Sequence, residues 1–81
     1  MTNIYDPKSG FIINWEKNSI VITKFENHTF IIQANADGLK SLANHFLTLA
    51  EQSVPIGTHF HYDDYSSLEN GSIEFIIDKI N

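Results

Sequence analysis

The chain has 81 residues, fewer than the ~100 to 200 that are typical of one domain, so we expect a single folded unit over residues 1–81. Ten acidic residues against five lysines, with no arginine, give a net charge of −5. Nucleic-acid binding is disfavoured because Arg and Lys neutralise phosphates, whereas basic protein partners are favoured.

The absence of cysteine favours a cytoplasmic location. A chain this short in an oxidising compartment ordinarily relies on disulfide bonds for stability. The N-terminal sequence lacks the pattern of a signal peptide, and the apolar runs are far shorter than the ~20 residues that cross a membrane. We therefore predict a cytoplasmic protein that binds neither membranes nor nucleic acid.

The first part of the chain predicts three neighbouring strands. After turn signals, a first strand is expected at Phe11–Glu16, and Lys17-Asn18 forms the turn to a second strand at Ile20–Phe25, which is rich in β-branched residues. Glu26-Asn27 then turns the chain into a third strand, His28–Ala34. Such short connections are typical of an antiparallel meander.

From residue 35 the apolar spacing becomes that of an amphipathic helix. The apolar stripe comprises Leu39, Leu42, Ala43, Phe46, Leu49 and Ala50, widened by Leu47. The polar residues predicted on the opposite side are Lys40, Ser41, Asn44, Thr48 and Glu51. Asn35 or Asp37 caps the first turn, and the helix ends before Pro55 and Gly57.

Two more strands are predicted at Thr58–Tyr62 and Ser72–Ile80, the second introduced by the turn dipeptide Asn70-Gly71. The predicted fold is therefore α+β, an antiparallel sheet of about five strands in the order β-β-β-α-β-β, with one amphipathic helix packed on one face.

The second face of this predicted sheet keeps apolar side chains. These include Ile31, Ile76, Ile80 and either Val21 or Ile12. One interpretation is a partner surface or a homodimer interface, and the other is shielding by the curvature of the sheet edge.

His59 and His61 are the sharpest local feature of the sequence. On a strand they share one side, about 6.5 to 7 Å apart along the backbone, opposite Phe60 and Tyr62. They can be solvent-facing polar residues, part of an interaction surface, or two ligands of a metal ion.

A metal site needs a third ligand from elsewhere in the chain. The candidates for it are Asp63 after a bend, Glu74 across the hairpin, His28 and His45. Two histidines without a fixed third partner indicate a metal only weakly, so we expect neither a metal nor another cofactor.

Motifs of enzymes are missing from the sequence. It has no cysteine nucleophile, no Gly-x-Ser-x-Gly elbow and no Gly-rich phosphate loop. Asp63 and Asp64 are adjacent and point apart on an extended chain, so we expect them to begin a turn rather than to act as an acid–base pair. We predict no catalytic residue and no enzymatic activity.

The alternatives to this non-enzymatic interpretation are a metal-binding module or metal-dependent enzyme that uses His59 and His61, and a homodimeric structural subunit.

Acidic residues concentrate in the C-terminal third, beside tyrosines and the two histidines. Aromatic side chains ringed by charge are common in protein-recognition surfaces. The residues predicted to bind a partner are His59, His61, Asp63, Tyr65, Glu69 and Glu74.

Three segments carry a resemblance to a known family. They are Ala34-Asn35-Ala36-Asp37-Gly38-Leu39 running into Ser41-Leu42-Ala43-Asn44, then Gly57-Thr58-His59-Phe60-His61-Tyr62-Asp63, and finally Ser67-Leu68-Glu69-Asn70-Gly71-Ser72. Together they resemble the immunity protein 32 family of bacterial polymorphic toxin systems, over roughly Phe30 to Lys79.

This resemblance implies a non-enzymatic protein that protects its own cell by binding a cognate toxin. The family's motif residues correspond here to His59, His61, Asp63, Leu68, Glu69 and Gly71, whose role as contact residues is a hypothesis. The implication agrees with the acidity of the chain, because many toxin domains are nucleases with basic substrate-binding surfaces.

Overall fold

A computed structural model describes residues 4–6, 10–12, 14–65 and 67–81. The elements are β1 (Ile4–Asp6), β2 (Gly10–Ile12), β3 (Val21–Glu26), β4 (Thr29–Ala34), α1 (Ala36–Leu49), β5 (His59–Tyr62) and β6 (Phe75–Asp78). The α+β class is confirmed. In place of one sheet of about five strands, the described strands form three antiparallel pairs, β1-β2, β3-β4 and β5-β6.

The first predicted strand is shorter than expected and has an unexpected partner. β2 ends at Ile12 and pairs with β1, while residues 14–16 are not in a strand. Their backbone bonds to α1 instead: Glu16 N–H donates to Ser41 Oγ at 2.8 Å, and the Asn14 carbonyl oxygen lies 2.7 Å from His45 Nε2. The predictions for Ile13 and for the side chain of Ile12 lie outside what the structure describes.

The β3-β4 hairpin turns one residue later than the sequence predicts. Glu26 pairs with Thr29, so the two-residue loop is Asn27-His28. Both loop residues have positive φ, 50° and 63°, as a type I′ hairpin turn requires. His28 therefore lies in the turn and not in the predicted third strand.

Residues 69–73 belong to the loop between β5 and β6 and run along the edge of β3. Glu69 N–H donates to the Val21 carbonyl oxygen at 2.9 Å, and Ile73 N–H donates to the Thr23 carbonyl oxygen at 3.2 Å. This bonding to β3 explains why β6 begins at Phe75 and not at the predicted Ser72. The predicted turn at Asn70-Gly71 is confirmed, with a φ of 84° at Gly71.

Asn35 caps α1 and also ties the helix to the segment that precedes β3. Its Oδ1 accepts from Gly38 N–H at 2.8 Å and from Ile20 N–H at 3.0 Å, while its Nδ2 donates to the Asn18 carbonyl oxygen at 2.7 Å. The first turn approaches β3 so closely that a Cβ atom at Gly38 would lie 2.6 Å from the Ile20 carbonyl oxygen.

The face of α1 that is buried differs from the predicted apolar stripe. The buried residues are Gly38, Ser41, Leu42, His45, Thr48 and Leu49. Ser41 and Thr48, predicted to face solvent, are buried because their hydroxyls donate to the Asp37 and Asn44 carbonyl oxygens one turn earlier. Leu39 and Leu47, predicted to face the sheet, are 55% and 71% exposed.

The core lies between α1 and the inner sides of β3 and β5. Its buried hydrophobic residues are Val21, Leu42, Leu49, Val54, Phe60, Tyr62 and Leu68, with Trp15, Ala34, Phe75 and Ile77 packed against them. Ile76 and Ile80 are exposed, as expected for the second face, whereas Val21 belongs to the core. In the described part of the chain, no helix has the length and apolar content to cross a membrane.

A fully buried histidine joins the helix to β5. The Asn14 carbonyl oxygen can only accept, so His45 Nε2 donates to it, and in the neutral ring Nδ1 accepts from the Tyr62 hydroxyl at 2.9 Å. The ring also meets Trp15 edge-on, with centroids 4.7 Å apart. Burial lowers the pKa of His45, with a smaller opposing effect from the bond to Asn14, and burial raises the pKa of Tyr62.

The close approach at Gly38 predicts that Gly38→Ala destabilises the fold. Alanine favours a helix by about 1 kcal/mol relative to glycine, but the clash with the Ile20 carbonyl costs about 1–3 kcal/mol and forces the backbone to shift. Urea unfolding measures the difference. The exposed Lys40→Ala in the same helix is the control, expected within about 0.5 kcal/mol of the parent. A Gly38→Ala chain more stable than the parent would contradict this packing.

The buried imidazole predicts a loss of stability on acidification. Because the folded-state pKa of His45 lies below its unfolded value of about 6.5, the unfolded chain binds more protons in the window below that pH. The free energy of unfolding contributed by this residue is therefore constant above about pH 6.5 and falls as the pH drops below it.

Urea unfolding at pH 7.5 and 5.5, compared between the parent and His45→Gln, isolates this contribution. Glutamine keeps one donor and one acceptor but does not titrate, so the variant should lose less stability between the two pH values. Equal losses in the two proteins would show that His45 does not stay neutral in the folded chain.

Candidate functional site

The β5-β6 hairpin has a buried inner side and an exposed outer side. Phe60 and Tyr62 are 1% and 0% exposed, so the residues between and beside them, His59 and His61, point outward. This confirms the alternation predicted from the sequence. On β6 the pattern is the same, with Phe75 half-buried on the inner side and Ile76 55% exposed.

The strand register brings three of the predicted site residues together. His61 pairs with Ile76 and Tyr62 with Phe75, so Asp63 and Glu74 come next at the end of the ladder. Because side chains alternate, His61, Asp63 and Glu74 share the outer side. One ligand atom from each lies within 4.8 Å of the other two, and His61 Nε2 contacts Glu74 Oε2 directly.

Asp63 is held in place by the turn that follows β5. Its Oδ1 accepts from Tyr65 N–H at 3.1 Å, and its carbonyl oxygen accepts from Leu68 N–H at 2.8 Å. The turn predicted at Asp63-Asp64 is thereby confirmed, while Ser66 within it lies outside the described residues. The bend leaves the Tyr65 side chain 96% exposed beside the cluster.

The other predicted partner-binding residues lie apart from this cluster. His59 pairs with Asp78 at the far end of the hairpin and its Nδ1 lies 3.3 Å from the Gly57 carbonyl oxygen. Glu69 is exposed on the segment that runs beside β3. The cluster therefore comprises His61, Asp63 and Glu74. His59 shares the outer side of the hairpin but is not part of the cluster.

Two residues of the family motif have structural roles. Leu68 is buried in the core, so it is not available as the contact residue that the motif suggested. Gly71 has a φ of 84°, a left-handed conformation that favours glycine, although a Cβ atom there would meet no described atom within 4 Å. Both residues lie in the loop between β5 and β6 and help to shape it.

Of the histidines considered as a third metal ligand, His45 is excluded. Both of its ring nitrogens are engaged in the core, and the side chain is fully buried. His28 lies in the β3-β4 turn. Among the described residues, the cluster with metal-ligand spacing is His61, Asp63 and Glu74.

The outer side of the hairpin has an apolar centre, and its position beside the histidines was not predicted from the sequence. Ile76 lies opposite His61, between the pair His59 and Asp78 and the pair Asp63 and Glu74. We call these six residues, His59, His61, Asp63, Glu74, Ile76 and Asp78, the hairpin outer face. An exposed aliphatic side chain ringed by polar groups has the anatomy of a protein-binding patch.

A second exposed apolar surface lies on α1. It comprises Leu39, Ala43, Phe46, Leu47 and Ala50, which we call the helix apolar face. These residues recur at helical spacing, and for that reason they were predicted to face the core. A signal against that assignment was available, because Gly38, Ser41, His45 and Thr48 follow the same period and small or hydrogen-bonding residues can also be buried.

Comparison with known proteins gives one match. The model of the immunity protein 32 family matches residues 29–80, which include β4, α1 and the whole β5-β6 hairpin. No curated protein and no solved structure matches the chain. The family match covers more than half of the 81 residues and contains every residue of the hairpin outer face. The chain therefore belongs to the immunity protein 32 family.

Proposed function

We propose that the chain is a non-enzymatic immunity protein that binds a cognate bacterial toxin domain in the cytoplasm and neutralises it. The observation that carries this proposal is the family match across residues 29–80. An immunity protein acts by occupying its toxin, so its function requires a binding surface and no catalytic group. The hairpin outer face supplies such a surface within the matched region.

We further propose that the toxin contacts the hairpin outer face together with Tyr65 and Glu69. Ile76 and Tyr65 are exposed and offer apolar contact area, while the carboxylates of Asp63 and Glu74 can accept hydrogen bonds from Lys or Arg of a partner. The paired strands β5 and β6 hold most of these side chains on a rigid backbone, which limits the entropy lost on binding.

Charge favours a basic partner for this surface. The acidic residues in this C-terminal part of the chain are Asp63, Asp64, Glu69, Glu74 and Asp78, against the single Lys79. The Lys79 ammonium donates to the Glu51 and Val54 carbonyl oxygens at 2.7 and 2.9 Å, so it is directed at the turn after α1. The negative field of the hairpin would accelerate association with a basic toxin surface, and added salt would slow it.

The first test is protection in cells. Co-expression of the chain with the toxin encoded by the neighbouring gene is expected to restore growth, and the two purified proteins are expected to form a stable complex. If the cells are not protected and no complex forms, the proposed function is wrong.

The second test locates the surface. Ile76→Ala and Glu74→Lys should each weaken the complex at least about tenfold, because they remove an exposed apolar contact and reverse a charge. Calorimetry with the toxin domain measures the affinity, and circular dichroism checks that these exposed substitutions leave the fold intact.

Two control variants match these changes elsewhere on the molecule. Leu47→Ala removes an exposed aliphatic side chain from the helix apolar face, and Glu51→Lys reverses a charge after the C-terminal end of α1. Both should leave the affinity within about twofold of the parent. If Leu47→Ala weakens the complex and Ile76→Ala does not, the toxin binds the helix and the proposed surface is wrong.

A further inference from the structure

We propose that His61, Asp63 and Glu74 form a binding site for one divalent transition-metal ion, with zinc the best fit. Zinc takes histidine nitrogen and carboxylate oxygen ligands, and three protein ligands with an open fourth position are a common arrangement for it. The three groups offer one nitrogen and two carboxylates, all within 4.8 Å of one another. An imidazole in the set favours zinc over calcium or magnesium, which prefer oxygen ligands alone.

The geometry that allows this site comes from the strand register. Asp63 follows β5 two residues after His61, and Glu74 reaches the same place from the start of β6. Two ligands from one strand and a third from its neighbour converge on a point, whereas alternate residues of one straight strand are spread along a line. His59 pairs with Asp78 at the other end of the ladder and is not part of the cluster.

The spacing of the ligand atoms suits a metal after a small movement. Ligand atoms around a tetrahedral zinc ion, each about 2.0–2.2 Å from it, lie about 3.4 Å from one another. The side chains of His61 and Glu74 are half exposed, at 50% and 58%, so rotations about their side-chain bonds can bring the three ligand atoms to this spacing without moving the core.

Existing contacts already orient two of the three ligands. Tyr65 N–H donates to Asp63 Oδ1, a bond of the kind that fixes ligating carboxylates in metal sites. His61 Nε2 faces the Glu74 carboxylate, so an ion placed between them would be coordinated by both groups. The ion would also offset the repulsion between the Asp63 and Glu74 carboxylates. Its open position faces solvent, where a water molecule or a side chain of a bound protein can coordinate.

The test is calorimetric titration of the metal-free purified chain with ZnCl2, with no toxin present. One equivalent of zinc is expected to bind per chain, and a tenfold excess of MgCl2 should not displace it. His61→Ala and Glu74→Gln should each lower the affinity by at least about tenfold, because loss even of an outer contact commonly costs that much. His59→Ala, an outward-facing histidine on the same strand, is the matched control and should stay within about twofold.

Two results would overturn the assignment. One is the absence of saturable zinc binding to the parent chain, and the other is an equal loss of affinity in His59→Ala and His61→Ala. Zinc binding is measured on the chain alone, so its outcome is independent of toxin neutralisation. A chain that protects cells but binds no zinc would refute the metal site and leave the proposed function standing.

Discussion

The hydrogen bond between the buried His45 and Tyr62 is the contact on which the arrangement of the site depends. It joins α1 to the inner side of β5 at the centre of the core. Because Tyr62 must point inward to reach His45, strand alternation requires His61 and Asp63 to point outward. The second nitrogen of His45 binds the Asn14 carbonyl, so the same ring also fixes the segment before β3. One imidazole therefore connects three parts of the chain that are far apart in sequence.

The burial of polar side chains on one face of α1 determines which apolar side chains of the helix are exposed to solvent. Ser41 and Thr48 can face the core because their hydroxyls donate to carbonyl oxygens of α1, and His45 can because Tyr62 and Asn14 bind its ring nitrogens. No buried side-chain nitrogen or oxygen in the described residues lacks a partner. The apolar residues at the complementary positions are then exposed. Two of the exposed surfaces with apolar character in the described residues therefore contrast in charge: the hairpin outer face is charged and the helix apolar face is nearly uncharged. The hairpin outer face, which carries the carboxylates and the outward-facing histidines, suits a charged partner, whereas the helix apolar face suits an apolar one.

Local signals predicted much of the fold and part of the site. The alternation of residues in β5 correctly predicted that Phe60 and Tyr62 face inward and that His59 and His61 face outward. The helix cap at Asn35 and the turn at Gly71 follow from the chemistry of those residues. The number and pairing of strands did not follow, because residues 14–16 and 69–73 bond to α1 and β3 through contacts distant in sequence. The secondary-structure propensities of individual residues carry no information about such contacts.

The same limit applies to the site itself. Glu74 was a candidate partner of His61, but only the register of β5 and β6 places it beside Asp63 and separates both from His59. That register depends on the loop between the strands, whose path along β3 is set by tertiary hydrogen bonds. The prediction of which face of α1 is buried was wrong for a related reason. Apolar and hydrogen-bonding residues both recur at helical spacing, and His45 can be buried only because Asn14 and Tyr62, which are distant in sequence, bind its ring.

The central claim is that the hairpin outer face binds the toxin. Chemical-shift mapping of the ¹⁵N-labelled chain during titration with the unlabelled toxin domain tests it most directly. If the toxin binds this face, the largest changes lie at residues 59–65 and 74–78. Large changes confined to the helix apolar face, with the hairpin unaffected, would contradict it.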